Sequence, residues 1–329
     1  MTRLLILLMS IAVIFCAGCA GKGEPAAVKE QKKLIVYSEL DNKLTEDILQ
    51  AYNEEQKGRV VAQALYELKP DGPEPDLVLA EQRTLNGLKL DDALKPVAFA
   101  AGDRLPGQFR DEELKWYGVF YDPVVFLVNQ QYSRKIGQRN LKGWSDLENL
   151  TEARVAMENL TDSNSTKNFL GAFAEHYGET TSLNYLWNIN HNINKYAQFP
   201  FTPVRITAVG DADIAITRQC YVFKYLEIRF PAYVVIPEEG TPVNLFGVGL
   251  FRSCVQDVEA IGFMEWLLSG DKLQAVCQQN NAGYMFLLPQ GIEGQAADPE
   301  KIWLNKSYLT AAQQDELIDK WLNRVRFSR

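Results

Sequence analysis

The chain has 329 residues, of which 47% are hydrophobic and 23% are charged, and its formal net charge at pH 7 is −8. This composition is ordinary for a globular protein, and the net negative charge argues against nucleic acid or an anionic membrane surface as the partner. The chain has only two histidines and no G-x-S-x-G, P-loop, G-x-G-x-x-G or H-E-x-x-H signature, so we expect no enzyme.

The first nineteen residues have the pattern of an export signal. Arg3 precedes an apolar run over residues 4–15, which is shorter than the ~20 residues that span a bilayer. Cys16-Ala17-Gly18-Cys19 follows, and this order resembles a bacterial lipoprotein signal, although such signals usually carry leucine where Cys16 stands. The resemblance implies a signal peptide over residues 1–18 and lipidation of Cys19; the alternative is an uncleaved anchor helix.

Residues 19–33 are predicted to be the lipidated cysteine and a flexible tether. Small and charged residues dominate this segment, and it contains both glycine and proline. We therefore expect the chain in the periplasm or at the cell surface, anchored to a membrane by lipid. Ala20 stands where lipoproteins retained at the inner membrane carry Asp, so inner and outer membrane both remain open.

Short apolar runs alternate with helical patterns in the first part of the chain. Strands are predicted over residues 34–37, 60–66 and 76–80, and the spacing of Leu44, Ile48 and Tyr52 predicts a helix between the first two. This alternation predicts a parallel sheet covered by helices.

The same alternation continues to the end of the chain. Residues 117–129 form a strong β pattern, which Asp122-Pro123 is expected to break. A helix is predicted to end at Gly210. Further strands are predicted over residues 154–157, 213–217, 233–236 and 247–251, and further helices after residues 144 and 163 and over 258–268, 271–279 and 311–325.

Three cysteines lie beyond the signal: Cys220, Cys254 and Cys277. Three cysteines allow at most one bridge, and Cys254 with Cys277 is the candidate pair because both flank the same predicted helix. The alternative, which we favour, is that all three are small buried apolar residues.

Eight short strings occur in a fixed order along the chain: residues 34–38, 75–79, 124–129, 143–147, 159–166, 209–216, 236–241 and 263–270. Taken in this order, they resemble the type II periplasmic solute-binding proteins of ABC importers, and within them the ferric-ion, phosphonate, thiamine and polyamine binders. The resemblance implies an α/β fold: two Rossmann-like lobes with mixed central sheets, joined by two hinge strands, which close over a ligand. It implies residues 34–116 plus 233–285 as lobe 1 and residues 117–232 plus 286–329 as lobe 2.

In such a fold, ligand groups lie at the carboxyl ends of strands, beside helix N-termini whose free N–H groups favour negative charge. Two turns of this kind precede predicted helices, after residues 37 and 162. For the second turn, the alternative is an ordinary helix cap. The candidate ligand-binding residues are Ser38, Glu39, Ser163, Asn164, Ser165, Thr166, Arg218, Gln219 and Tyr221.

Arg218 and Tyr221 indicate different ligands. A guanidinium group binds a carboxylate or phosphate through two hydrogen bonds. Tyr221 matches one member of the tyrosine pair of ferric-binding relatives, with Cys220 in the other position, and a ferric site would use Tyr221 and Glu39. A ferric site with a synergistic anion would reconcile the two residues. No resident cofactor is expected, and Fe³⁺ would be cargo.

The sequence thus predicts an extracytoplasmic solute-binding lipoprotein of an ABC transporter. It would capture a small anionic solute, ferric iron or a ferric complex, with a cationic organic solute as a third class. We expect a monomer that delivers its ligand to permease and ATPase subunits. The alternative is a divergent binding module for sensing or scaffolding rather than transport.

Overall fold

The computed structural model describes residues 31–135, 141–150, 152–226, 230–269, 271–289, 297–307 and 310–328. The predicted signal peptide, Cys19 and most of the predicted tether lie outside these ranges. The described strands are β1 (Lys32–Ser38), β2 (Val60–Leu65), β3 (Leu77–Glu81), β4 (Leu94–Lys95), β5 (Trp116–Asn129), β6 (Val155–Glu158), β7 (Ile193–Ala197), β8 (Ile214–Arg218), β9 (Ala232–Val235), β10 (Thr241–Phe251), β11 (Met285–Phe286) and β12 (Ile302–Trp303). The described helices are α1 (Asn42–Gln56), α2 (Gln82–Leu90), α3 (Ala100–Asp103), α4 (Gln130–Lys135), α5 (Trp144–Glu148), α6 (Asn164–Tyr177), α7 (Glu179–Ile189), α8 (Phe201–Val209), α9 (Gln219–Leu226), α10 (Asp257–Ser269), α11 (Asp271–Gln279) and α12 (Ala311–Trp321).

The strands form a mixed sheet with the central order β2-β1-β3-β10-β5-β8-β6-β7. Strands β1, β2 and β3 are parallel to one another, as are β6, β7 and β8. Between these two sets, β10 is antiparallel to β3 and β5, and β5 is antiparallel to β8. The two parallel sets therefore run in opposite directions, and their carboxyl ends face each other near the middle of the sheet.

Strand β5 belongs to both halves of the sheet. Its residues 116–123 pair with β10, and its residues 124–128 pair with β8. The predicted break at Asp122-Pro123 is wrong, because the strand continues through both residues. Proline has no N–H group, and Pro123 lies where the strand changes partners, so the missing donor falls at a point where the ladder is interrupted anyway.

Buried apolar side chains form one large cluster in each half of the molecule. The first cluster packs around β1, β3, β10 and the start of β5, and the second packs around Trp144, Phe173 and Trp321. We refer to the elements around these clusters as the first and second lobes. The predicted lobe boundaries stay a prediction, although packing passes from the first to the second cluster between Tyr121 and Val124.

Cys220, Cys254 and Cys277 are all buried and unpaired, which supports their interpretation as small apolar residues rather than a Cys254–Cys277 bridge. In the part of the chain that the structure describes, no helix has both the length and the apolar character needed to cross a membrane.

Candidate ligand-binding cleft

The carboxyl ends of four strands meet between the lobes. From the first lobe, β1 ends at Ser38 and β3 ends at Glu81; from the second, β6 ends at Glu158 and β8 ends at Arg218. A cavity of about 480 Å³ opens at this point, and its lining includes Glu39, Glu81, Arg218, Tyr221 and Tyr284. We call this cavity the cleft.

Arg218 occupies the centre of the contact between the lobes. Its Nη1 lies 3.8 Å from Glu81 Oε1 and donates to Ser165 Oγ over 3.3 Å, and its Nε lies 3.6 Å from Asp122 Oδ2. Its Nη2 donates to the Tyr221 hydroxyl, and its Cζ lies 4.4 Å from the centre of the Tyr221 ring. A guanidinium from the second lobe thus contacts a carboxylate of the first.

The first turn of α6 makes further contacts across the cleft. Ser165 Oγ donates to Glu81 Oε1 over 3.1 Å, and Arg83 Nη1 donates to Asn164 Oδ1 over 2.8 Å. Arg83 also donates to Gln314 Oε1 of α12 over 2.6 Å. Two of the predicted site residues, Asn164 and Ser165, therefore face the opposite lobe.

Three other predicted hydroxyls are used by local structure. Ser163 caps α6, since its Oγ accepts from Thr166 N and its N donates to Thr166 Oγ1, both over 3.2 Å. Ser38 is buried, shares a 2.8 Å hydrogen bond with the Thr45 hydroxyl, and accepts from Leu40 N. The alternative of an ordinary helix cap describes Ser163 well, and a ligand role for these residues stays a prediction.

Gln219 and Glu39 line different cavities. Gln219 Nε2 donates to the Gly283 carbonyl over 2.5 Å and lines a separate cavity of about 740 Å³. Glu39 is exposed in the cleft and accepts from the Thr84 hydroxyl over 2.8 Å and from Glu81 N over 3.2 Å. It forms no ion pair with any residue that the structure describes.

Three carboxylates near Arg218 were not predicted as site residues: Glu81, Asp122 and Glu158. Asp122 is fully buried and its Oδ1 accepts from Cys220 N over 2.9 Å. Burial raises the pKa of all three carboxyl groups, and the positive charge of Arg218 opposes that rise. Glu81 and Glu158 each follow directly after a predicted strand, as Arg218 does, so applying to every predicted strand the rule that ligand groups lie at strand ends would have found them.

The ferric prediction rests on Tyr221 and Glu39. Burial raises the pKa of Tyr221 to about 12, and its hydroxyl accepts a hydrogen bond from Arg218. A ferric ion would therefore have to draw off the phenol proton beside a guanidinium. Among the described residues, no three His, Cys, Asp or Glu side chains are grouped so that they could hold a metal ion. The ferric ligand set stays a prediction.

A family model for bacterial extracellular solute-binding proteins matches residues 72–308, well over half of the chain. An uncharacterized protein of Haemophilus influenzae is 24% identical over 348 residues, an alignment that covers 98% of this chain and 99% of the relative.

Solved structures with the same architecture include two periplasmic binding proteins. Ferric iron-binding protein A of Mannheimia haemolytica, in an open conformation, is 19% identical with a TM-score of 0.72, over 90% of this chain and 99% of that chain. AfuA of Actinobacillus pleuropneumoniae, with fructose-6-phosphate bound, is 17% identical with a TM-score of 0.66, over 91% and 100% of the two chains. Such identities show the fold alone, and they confirm the predicted two-lobed α/β class.

Proposed function

This chain belongs to the bacterial extracellular solute-binding protein family, and we propose that it is the extracytoplasmic solute receptor of an ABC importer. A small solute enters the cleft, the lobes close over it, and the loaded receptor docks on permease and ATPase subunits. The family and the fold neighbours are non-enzymatic, so the chain is a binding protein and not an enzyme.

The observation that carries this proposal is the position of Arg218. It lies at the end of β8, it contacts Glu81 of the opposite lobe, and it borders a cavity of about 480 Å³. Small-molecule sites fall in the range of roughly 300–1,000 Å³. A side chain that touches both lobes and the cavity is well placed to couple ligand binding to closure.

Two of the three ligand classes predicted from the sequence have a group of residues in their favour. Arg218 together with the start of α6 supports an anionic solute, and Tyr221 with Glu39 supports ferric iron or a ferric complex. The two fold neighbours described above are a ferric iron-binding protein and a structure with fructose-6-phosphate bound. Because Arg218 is surrounded by carboxylates, a free anion would have to compete with Glu81 for it.

We also propose that Cys19 is lipidated and that the segment between Cys19 and β1 tethers a monomeric receptor to the membrane. This segment is two residues shorter than the predicted tether, because Lys32 and Lys33 belong to β1. The support is the Cys16-Ala17-Gly18-Cys19 order after an apolar run. Cells labelled with palmitate should yield labelled wild-type protein. Cys19→Ala should abolish the label and release the protein from the membrane fraction, and retention of the label would contradict lipidation at Cys19.

The receptor function is tested on protein purified without refolding. Native mass spectrometry and a visible spectrum identify a bound solute, including a tyrosinate–iron band, and calorimetry measures its rebinding. Arg218→Ala removes the guanidinium that contacts both lobes and should change the affinity for the solute by roughly tenfold or more, whereas Arg205→Ala, which removes an exposed arginine of α8, should leave it unchanged. The proposal fails if no solute copurifies and none of phosphate, citrate, ferric citrate or 1,4-diaminobutane shifts the melting temperature.

Transport is separated from sensing in cells. Deleting the receptor should abolish uptake of the solute identified above, and wild-type protein should restore it. A receptor that binds the solute while its deletion leaves uptake unchanged would instead support the sensing or scaffolding alternative.

A further inference from the structure

The surroundings of Arg218 carry more negative than positive charge. Glu81 and Asp122 lie 3.8 Å and 3.6 Å from the Arg218 guanidinium, and Glu158 lines a small cavity together with Arg218, so three ionised carboxylates leave an excess of two negative charges. Asp122 is 0% exposed and Glu158 is 9% exposed, so water compensates these charges poorly. Protons or a cation must balance the excess.

The other cations near the cleft do not supply this balance. Lys43 Nζ lies 2.6 Å from Asp47 Oδ2, and Lys224 Nζ lies 3.9 Å from Asp41 Oδ2, so each lysine has its own aspartate. Arg83 donates to the amide oxygens of Asn164 and Gln314. It lines neither the cleft nor the cavity of about 30 Å³ that Arg218 and Glu158 help to line.

Glu81 already occupies the position suited to an anion. Its carboxylate accepts from Ser165 Oγ over 3.1 Å in the first turn of α6 and lies 3.8 Å from Arg218 Nη1. A hydroxyl, a guanidinium and the positive end of a helix are the groups that would hold an anionic ligand. The first lobe therefore places the Glu81 carboxylate where an anionic ligand would otherwise bind.

Unpaired polar groups lie next to this position. Glu158, Thr217, Ser165 and Arg218 help to line a cavity of about 30 Å³, which suits a group of roughly water size. Among the described residues, the buried Thr217 hydroxyl has no hydrogen-bond partner, and none forms an ion pair with Glu158, which is 9% exposed. A compact group with several N–H donors would satisfy these acceptors.

We propose that Glu81 is a built-in counter-anion that sets the charge specificity of the cleft: it excludes free anions and selects solutes with a compact cationic group, such as a primary ammonium. The ammonium binds Glu158 beside Arg218. The rest of the solute lies in the cleft, where Glu39 offers a further carboxylate. This inference rests on the proposed function of the same cleft.

The test is a charge exchange measured by calorimetry with two probes, 1,4-diaminobutane and inorganic phosphate. Wild-type protein should bind the diamine and not phosphate. Glu81→Gln should gain phosphate binding and weaken diamine binding by roughly tenfold or more, and Glu158→Gln should weaken only the diamine. Glu175→Gln, an exposed glutamate of α6, is the matched control and should change neither. Circular dichroism confirms that each variant is folded.

The outcomes separate this inference from the receptor proposal. If wild-type protein binds phosphate tightly, Glu81 does not exclude free anions and this inference falls, while the receptor function stands. If wild-type protein binds neither probe, phosphate binding by Glu81→Gln still supports the inference, and its absence overturns it. If no variant binds any solute, both proposals fall.

Discussion

The cleft has one wall from each lobe, and the two walls hold their charged groups in different ways. On the first wall, Glu39 is exposed and is held by neutral donors, the Thr84 hydroxyl and the Glu81 amide. On the second wall, Arg218 and Glu158 are largely shielded from water, and Arg218 depends on Asp122 and Glu81. When the lobes part, Glu39 keeps both of these donors, whereas Arg218 and Glu81 lose each other, so the charged contact that depends on closure is the one between Arg218 and Glu81.

Removing Arg218 should break this comparison most severely. Arg218→Ala leaves Asp122 buried without its cation, and loss of one partner of a buried ion pair costs about 3–5 kcal/mol. Urea unfolding measures the change in the free energy of unfolding. The double variant Arg218→Ala with Asp122→Asn should recover part of it, because the unpaired charge is gone. An Arg218→Ala protein as stable as the exposed-site control Arg205→Ala would contradict the account of the second wall.

Gly283 controls how closely the two walls approach each other. Its φ is +68°, and a Cβ there would lie 3.2 Å from both Cys220 Cα and Gln219 O. Gly283→Ala should therefore lower the free energy of unfolding by about 1–2 kcal/mol from backbone strain alone, and should weaken ligand binding. Gly262 on α10 is the control, since a Cβ there meets nothing within 4 Å and alanine should stabilise the helix slightly. Equal melting temperatures for the two variants would contradict this role.

The Ser163→Ala variant tests whether Ser163 stabilises the start of α6 or binds the ligand. Ser163→Ala removes a cap that accepts from Thr166 N over 3.2 Å, which should lower the free energy of unfolding by about 0.5–2 kcal/mol. Solute affinity should stay within about twofold, because Ser165, not Ser163, contacts Glu81. Calorimetry and urea unfolding on the same preparation check both statements, and a large loss of affinity would assign Ser163 to the site.

The smallest expected effect is a change in pH dependence. Burial raises the pKa of Glu158 in the folded protein, so the folded state keeps this proton where the unfolded chain has lost it. The free energy of unfolding should therefore fall as pH rises from about 4 through the raised pKa. Glu158→Gln should make this slope shallower and Glu175→Gln should not, as measured by urea unfolding across that range. An unchanged slope would mean that Glu158 titrates normally.

Much of this arrangement could be predicted because local patterns encode it. The buried strand at residues 34–37, the helix that ends before Gly210 and the strand before Arg218 all appear, since continuous apolar runs and glycine caps are local signals. Arg218 was predicted as a site residue because it follows the predicted strand over residues 213–217, and the structure places it at the end of β8. The cap at Ser163 was also foreseen, as the alternative to a ligand role.

The parts that escaped prediction depend on contacts distant in sequence. Strand β7 is an edge strand with exposed Asn194 and Lys195, so it lacks an apolar run. The continuity of β5 through Pro123 requires knowing that two partners exchange there. Glu81 joins Arg218 only because the two parallel strand sets run in opposite directions, which no local pattern records.

Strand β5 has a mechanical consequence. One uninterrupted strand carries both halves of the sheet, so any change in the angle between the lobes has to bend or twist it near the point where it changes partners. Asp122 lies at that point and also contacts Cys220 N and Arg218. The same residue therefore links the point where β5 changes partners to Arg218 at the cleft, so a solute that shifts Arg218 would act on a residue of the strand that the two lobes share.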